Sequence, residues 1–186
     1  MAKLHVRYAS MNAGKSTQLL QVAHNYAEGG HRVRLFTAGI ADRARKGVID
    51  SRLGVTHEAE VFTKETDFIA LLSADPDLAC LLVDECQFLE PTQARQLHRM
   101  VHSLNIPVMC FGIRTDFLGE PFPGMSYLLS LADDISELKA ICACGHKSTM
   151  QIRLDQAGNR IRAGETILIG GNERYRQVCA RCFYYE

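Results

Sequence analysis

Lys15 and Ser16 occupy the setting in this chain that best suits a chemical task. They sit near the end of the run Ala9-Ser10-Met11-Asn12-Ala13-Gly14-Lys15-Ser16-Thr17, which follows an apolar stretch over 4–8. The run meets the phosphate-binding pattern G-x-x-x-x-G-K-[ST] at every fixed position except the first, where Ala9 stands in place of glycine. In such a loop, backbone N–H groups converge on phosphate oxygens. The lysine ammonium reaches the β/γ-phosphates, and the Ser/Thr hydroxyl ligates Mg²⁺. A helix predicted over 16–28 would turn its positive end toward the same anions. A methyl group at position 9 is tolerable provided that Ala9 avoids positive φ.

A second signal lies at Asp84-Glu85, directly after the apolar run 78–83. Two carboxylates at the carboxyl end of a buried parallel strand stand where open α/β sheets bind their ligands. An aspartate there can partner Mg²⁺, and a glutamate beside it can accept a proton from an attacking hydroxyl. The chemistry of the third group is different. Cys142-x-Cys144 and Cys179-x-x-Cys182 supply four thiolates, enough for a closed tetrahedral Zn²⁺ site with a structural role, although a site of this kind could also hold iron. His146 is a spare candidate ligand, and Gly145 supplies the positive φ that turns over a metal commonly need. Cys80, Cys86 and Cys110 lie in or next to predicted strands and read as apolar core filler.

The elements that must position these residues follow an alternating pattern up to about residue 135. Strands are predicted over 4–8, 33–38, 78–83 and 107–112. Helices are predicted over 16–28, closed by Gly29-Gly30, over 67–73, and over 91–104, which opens on proline. Residues 127–132 read as a further helical or mixed element. The polar stretch 39–58, with Arg43, Arg45, Lys46, Gly47 and Arg52, reads as a long mobile loop. The fold class expected is therefore α/β, a P-loop NTPase-like, mostly parallel sheet flanked by helices over residues 1–139. Residues 140–186 form a separate small zinc-binding unit with short β-like runs at 150–154 and 166–169. Between its cysteine pairs lies a tethered lasso, in which Leu168-Ile169-Gly170-Gly171 offers backbone amides and Tyr175 an aromatic platform. A loop stapled in this way can fold over a substrate and exclude water.

Composition narrows the partners. Twenty-one basic and 21 acidic residues cancel, so no basic field points to nucleic acid, and no apolar run is long enough to span a membrane. The first residues lack a secretory apolar region, and seven cysteines with clustered pairs suit a reducing cytoplasm better than a disulfide framework.

Taken together, Ala9–Thr17, Asp84-Glu85-Cys86-Gln87-Phe88, Cys142-x-Cys144 and Ile169-Gly170-Gly171-x-x-x-Tyr175-x-x-x-Cys179-x-x-Cys182 make the chain resemble the type II thymidine kinases. The resemblance covers essentially the whole chain and looks closest to the bacterial branch. It implies ATP-dependent phosphorylation of thymidine at its 5′-hydroxyl. Glu85 would be the general base. Ala9, Ser10, Met11, Asn12, Ala13, Gly14, Lys15, Ser16, Thr17, Asp84 and Gln87 would hold ATP and Mg²⁺. Met11, Phe88, Ile113, Phe117, Phe122, Leu168, Ile169, Gly170, Gly171 and Tyr175 would bind the nucleoside. Cys142, Cys144, Cys179 and Cys182 would hold Zn²⁺. The resemblance further implies a homotetramer and feedback by dTTP, while the charge balance and hydropathy give the expectation of no nucleic-acid or membrane partner. Gln151 departs from the hydroxyl residue that the animal enzymes place near the base. With four residues following Cys182, the resemblance does not extend to tail-dependent regulation. A kinase for another nucleoside, deoxyuridine first, and a zinc-ribbon binding module are the competing assignments.

Overall fold

The computed structural model describes residues 1–39, 47–166 and 174–185. In chain order the elements are β1 (Leu4–Tyr8), α1 (Lys15–Glu28), β2 (Arg32–Ala38), β3 (Val48–Asp50), β4 (Thr56–Glu58), β5 (Glu60–Phe62), α2 (Phe68–Ser73) and β6 (Leu78–Val83). A single 3₁₀ turn over Cys86–Phe88 leads to α3 (Pro91–Leu104), β7 (Val108–Gly112), α4 (Pro123–Leu131) and β8 (Asp134–Glu137). The remainder comprises β9 (Ala140–Ile141), β10 (Lys147–Ser148), β11 (Met150–Leu154), β12 (Arg160–Ile161), β13 (Tyr175–Val178) and α5 (Ala180–Tyr185).

Among the described residues, six strands form one sheet in the order β5-β2-β6-β7-β1-β8, and every pairing in it is parallel. Both faces are covered, as a parallel sheet requires. The two-residue period assigns the side chains to the two faces. On β6, Leu81 and Val83 join the core under α2, α3 and α4, while Cys80 and Leu82 pack with Leu19, Leu20 and Ala23 of α1. On β2, Phe36 and Leu35 divide in the same way. Each of these fully buried large side chains contributes about 1.5–3 kcal/mol by leaving water.

The helices begin and end where local chemistry dictates. Asp67 caps α2 by accepting from the Ile69 and Ala70 amides, at 3.0 and 3.1 Å. Glu90 and Gln93 form a reciprocal capping box before Pro91 at the start of α3, and Asn105, at φ 54°, ends that helix. Gly30 supplies the left-handed residue that closes α1, as the glycine pair predicts.

Three differences from the predicted elements have physical causes. The stretch 39–58 is not one loop: β3 and β4 pair as an antiparallel hairpin whose Ile49 is buried against the α1 side of the sheet. Arg43, Arg45 and Lys46 lie outside the described residues. The edge strands β5 and β8 escape the sequence pattern because they are short, and β8 is polar at three of its four positions. The element predicted over 127–132 is the second half of α4, which starts with Pro123 at its first turn. Of the run 166–169, Thr166 is described outside any strand and the rest lies beyond the described residues.

From Ala140 the chain forms smaller sheets: the β9–β10 hairpin and the three antiparallel strands β12-β11-β13. Their shared apolar cluster is small, with Ile152, Leu154, Val178 and Phe183 packed around three of the cysteines.

The tightest packing constraint in the main sheet layer lies where α4 crosses the turn after β6. A Cβ on Gly124 would stand 1.9 Å from the Leu89 carbonyl oxygen. We expect Gly124→Ala to destabilise the fold by about 2 kcal/mol or more, because backbone cannot yield as a side chain can. Denaturant unfolding of the variant checks this.

Candidate active site

β1, β7 and β6 are neighbours, and Val108 on β7 is in register with both Leu4 and Leu81. Their carboxyl ends therefore open onto one edge, which carries the loop 9–14, Gly112-Ile113 and Asp84-Glu85. The loop is tied to that edge by the Ala9 amide, which donates to the Gly112 carbonyl at 3.2 Å. Ala9 is buried and is not among the positive-φ residues, so the methyl group fits without strain. Gly14 and Asn12 take the left-handed conformations, at φ 80° and 65°, that fold the loop back over the start of α1.

Within this loop the Lys15 ammonium donates to the Ser10 carbonyl at 2.9 Å. Burial pulls the Lys15 pKa below the usual lysine range, against the opposing pull of Glu85 and Asp84. Ser16 Oγ donates to Asp84 Oδ2 at 2.9 Å, and the Glu85 amide donates to Asp84 Oδ1 at 3.0 Å. Asp84 is 4% exposed. Burial, reinforced by the neighbouring Glu85 charge, pushes its pKa up to about 6, despite the bonds to Ser16 and the Glu85 amide and the nearby Lys15 charge. A hydroxyl and a carboxylate held in contact beside an ammonium fit the needs of a hard cation and the phosphates it bridges.

Glu85 sits at φ 53°, an uncommon conformation for a residue with a side chain, at the head of the 3₁₀ turn. Gln87 holds it there. The Gln87 Oε1 accepts from the Ile113 amide at 3.2 Å, which fixes the amide's orientation, and its Nε2 donates to Glu85 Oε2 at 2.5 Å. Gly112 makes room for this arrangement: a Cβ there would approach Gln87 Oε1 to 2.6 Å and Cys86 Sγ to 2.7 Å. Gln87 thus orients the candidate base, a connection that its place in the D-E-x-Q-F string did not disclose.

Of the predicted nucleoside residues, Phe88, Ile113 and Phe122 come together on the α4 side. The Phe88 and Phe122 rings meet edge to face with centroids 5.6 Å apart, and Ile113 packs on the same cluster. Met11 is half-buried within the phosphate loop. Phe117 is buried, with the Arg153 guanidinium 3.8 Å from its ring centre. Tyr175 is on β13, its hydroxyl bonded to Arg153. Leu168, Ile169, Gly170 and Gly171 lie outside the described residues.

Cys142, Cys144, Cys179 and Cys182 bring their sulfur atoms within 4.8 Å of one another. The first two occupy the tip of the β9–β10 hairpin, turned at Gly145 with φ 86°; the others flank the start of α5. Sulfur separations of 3.8 Å (Cys142–Cys182) and 3.5 Å (Cys144–Cys179) approach the ~3.8 Å edge of a tetrahedron with metal–sulfur bonds of about 2.3 Å. Burial raises the Cys142 pKa, but the Cys144 and Cys179 amides and the neighbouring thiols outweigh it and bring the thiol to about 7, which favours the thiolate a metal needs. The cluster could hold a structural metal. His146 Nδ1 lies 3.5 Å from Cys144 Sγ, beside the four thiols.

Sequence reasoning missed the contacts that join this unit to the sheet. Ser148 Oγ lies 3.1 Å from both Ser10 Oγ and the Val178 carbonyl. Gln151 donates to the Thr115 and Asp116 carbonyls and is buried. The available signal was a strand in which Gln151 and Arg153 alternate with Ile152 and Leu154, polar groups placed at core spacing.

A phosphate-binding loop, a strand-edge aspartate bonded to its serine and an all-parallel sheet define a P-loop nucleotide-binding α/β protein. The chain belongs to the thymidine kinase family, whose model matches residues 2–183, and it is an enzyme of that class. It is 55% identical to a thymidine kinase of Chromobacterium violaceum over 186 residues, which is all of both chains. It is 53% identical to one of Albidiferax ferrireducens over 186 residues, covering 100% of this chain and 94% of that one. A thymidine kinase of Yersinia pseudotuberculosis is 47% identical over 97% of this chain and 94% of its own. Among solved structures, an ATPase domain is similar at a TM-score of 0.48 and 14% identity, over 73% of this chain and 69% of that chain.

The raised pKa of Asp84 has a signed consequence for the metal-free protein. The folded state holds the proton to higher pH than the unfolded chain does, so stability falls as pH rises through the window from the ordinary carboxylate value to about 6. Asp84→Asn, which removes the charge, should raise the melting temperature more at pH 7.5 than at pH 5. Thermal melts at the two pH values in chelator check the sign.

Proposed function

We propose that the protein transfers the γ-phosphate of ATP to the 5′-hydroxyl of thymidine, giving dTMP in pyrimidine deoxynucleoside salvage. The observation that carries this is full-length membership of the thymidine kinase family combined with the bonded set Ser16, Asp84, Glu85 and Gln87 at one sheet edge, with Lys15 beside it. Loop residues 9–17 would cradle the triphosphate, with Lys15 leaving the Ser10 carbonyl for the β/γ-phosphates. Ser16 and Asp84 would hold Mg²⁺, which neutralises charge on the phosphates. Glu85, held by Gln87, takes the 5′-hydroxyl proton as that oxygen bonds to the γ-phosphorus and the bond to the β-phosphate oxygen breaks, releasing ADP. Phe88, Ile113 and Phe122, with Met11, Phe117, Tyr175 and 168–171, would form the nucleoside side.

For the cysteine cluster we propose Zn²⁺ held by Cys142, Cys144, Cys179 and Cys182. The division into 1–139 and 140–186 has support from the sheet arrangement, since β8 ends at Glu137 and the small sheets begin at Ala140. From the family we carry three further proposals: a homotetramer, feedback inhibition by dTTP and a cytoplasmic site of action. The last accords with seven free thiols. Among the described residues, no helix is long and apolar enough to cross a membrane.

The test is ATP-dependent phosphate transfer to thymidine, with deoxyuridine, deoxycytidine, deoxyadenosine and deoxyguanosine alongside. Selective transfer to thymidine is expected, and transfer to another nucleoside instead would reassign the substrate. Glu85→Gln should retain ATP binding and lose at least about 100-fold in kcat, the scale of general-base contributions. Near-normal turnover by that variant removes Glu85 from the base role. Elemental analysis should find one tightly bound zinc per chain, lost in Cys144→Ser together with a fall in melting temperature.

A further inference from the structure

Arg153, on β11, is 3% exposed. Its guanidinium donates from Nη1 to the Glu165 carbonyl at 2.6 Å, from Nη2 to the Thr166 carbonyl at 3.0 Å, and from Nε and Nη2 to the Tyr175 hydroxyl at 3.1 and 2.8 Å. The same group lies 3.8 Å from the Phe117 ring centre and 5.3 Å from that of Tyr175. Among the described residues these are neutral acceptors and aromatic faces, with no carboxylate in an ion pair with it. Burying a guanidinium this deeply is costly, and an apolar side chain of similar volume would commonly give equal or greater stability. What the guanidinium offers instead is geometry: a rigid, planar fork that bonds in its plane while stacking on its face. The plane engages Glu165, Thr166 and Tyr175. The face engages Phe117, which belongs to the loop after β7. One side chain therefore joins two aromatic residues that the sequence separates by almost a third of its length.

We propose that Arg153 is a positioning residue of the nucleoside side, fixing where Tyr175 stands relative to Phe117 and tying both to the backbone at Glu165–Thr166. The inference rests on the assignment of Phe117 and Tyr175 to nucleoside binding. A wall held in one arrangement before binding spares the ligand the cost of ordering it. Two further contacts from the same unit, Gln151 to the Thr115 and Asp116 carbonyls, hold the adjoining part of the Phe117 loop, so the guanidinium acts on a segment already anchored beside it.

Arg153→Lys keeps the charge and loses the planar fork, and Tyr175→Phe keeps the ring and loses the acceptor. We expect Arg153→Lys to raise KM for thymidine roughly tenfold or more, with KM for ATP within about twofold of wild type in the folded fraction set by thermal melts. Tyr175→Phe should move KM for thymidine in the same direction by a smaller factor, and the double variant should be less than additive. An unchanged thymidine KM in folded Arg153→Lys, or equal rises for thymidine and ATP, overturns the proposal. If Arg153→Lys does not fold, an unchanged thymidine KM in Tyr175→Phe overturns it. Hydrogen exchange of peptides covering Glu165–Thr166 and Tyr175 needs no substrate: faster exchange in Arg153→Lys is expected, and unchanged protection overturns the pin even if wild type prefers a different nucleoside. Failure of wild type to phosphorylate thymidine, with the exchange difference present, would instead count against the thymidine assignment.

Discussion

The hydrogen bond from Ser16 to Asp84 spans 68 positions of sequence and ties the phosphate loop to the strand-edge carboxylate. It exists only because β1, β7 and β6 run parallel in fixed register, so that the loop after the first and the carboxylate after the last reach the same edge. The arrangement carries an electrostatic load. Two acidic residues and a lysine are crowded where water is scarce, and the raised Asp84 pKa records the resulting strain on its ionised form. Sheet packing on both faces holds these groups together against that cost. A cation and a polyphosphate bound there would relieve it, so the same charges that burden the fold alone favour the loaded one.

Around this edge the polar side chains form short relays. Ile113 orients Gln87, and Gln87 orients Glu85; Gly112, by lacking a side chain, leaves the space in which they meet. The smaller C-terminal unit reaches in from the other side through Ser148, Gln151 and Arg153, which touch the phosphate loop and the loop after β7. The cysteine cluster lies between the β9–β10 hairpin and α5, on the same small sheets whose β11 carries Gln151 and Arg153. A metal held there would fix those strands and, with them, the residues that contact the phosphate loop and the Phe117 loop.

Much of this was legible in the residues. The phosphate loop, the carboxylate pair and the paired cysteines announced themselves because their chemistry needs fixed residue types at fixed spacing. β1 and β6 were legible as short apolar runs leading into the two motifs, and α3 by its opening proline and apolar stripe. The hairpin within 39–58 was not, since two three-residue strands carry too little pattern to stand out from polar surroundings. β8 was hidden for a different reason: an edge strand with one protected face can be polar, and Asp134-Ile135-Ser136-Glu137 reads as a loop. Arg153 and Gln87 were least legible. Each works through a neighbour brought to it by tertiary structure, and a single sequence does not show who that neighbour is.

The strand order has a consequence for how the protein comes into being. β1 is the first strand of the sheet in chain order, yet its partners, β7 and β8, are the last two. Leu4 and Val6 must therefore wait until residue 137 has been synthesised before both edges of their strand are paired. During that interval β2, β5 and β6 can associate among themselves, leaving a nascent intermediate with one open parallel edge and an orphaned apolar strand. The candidate site at this sheet edge is therefore assembled only after β7 has been made. Its vulnerability to aggregation should be greatest while β7 and β8 are still missing.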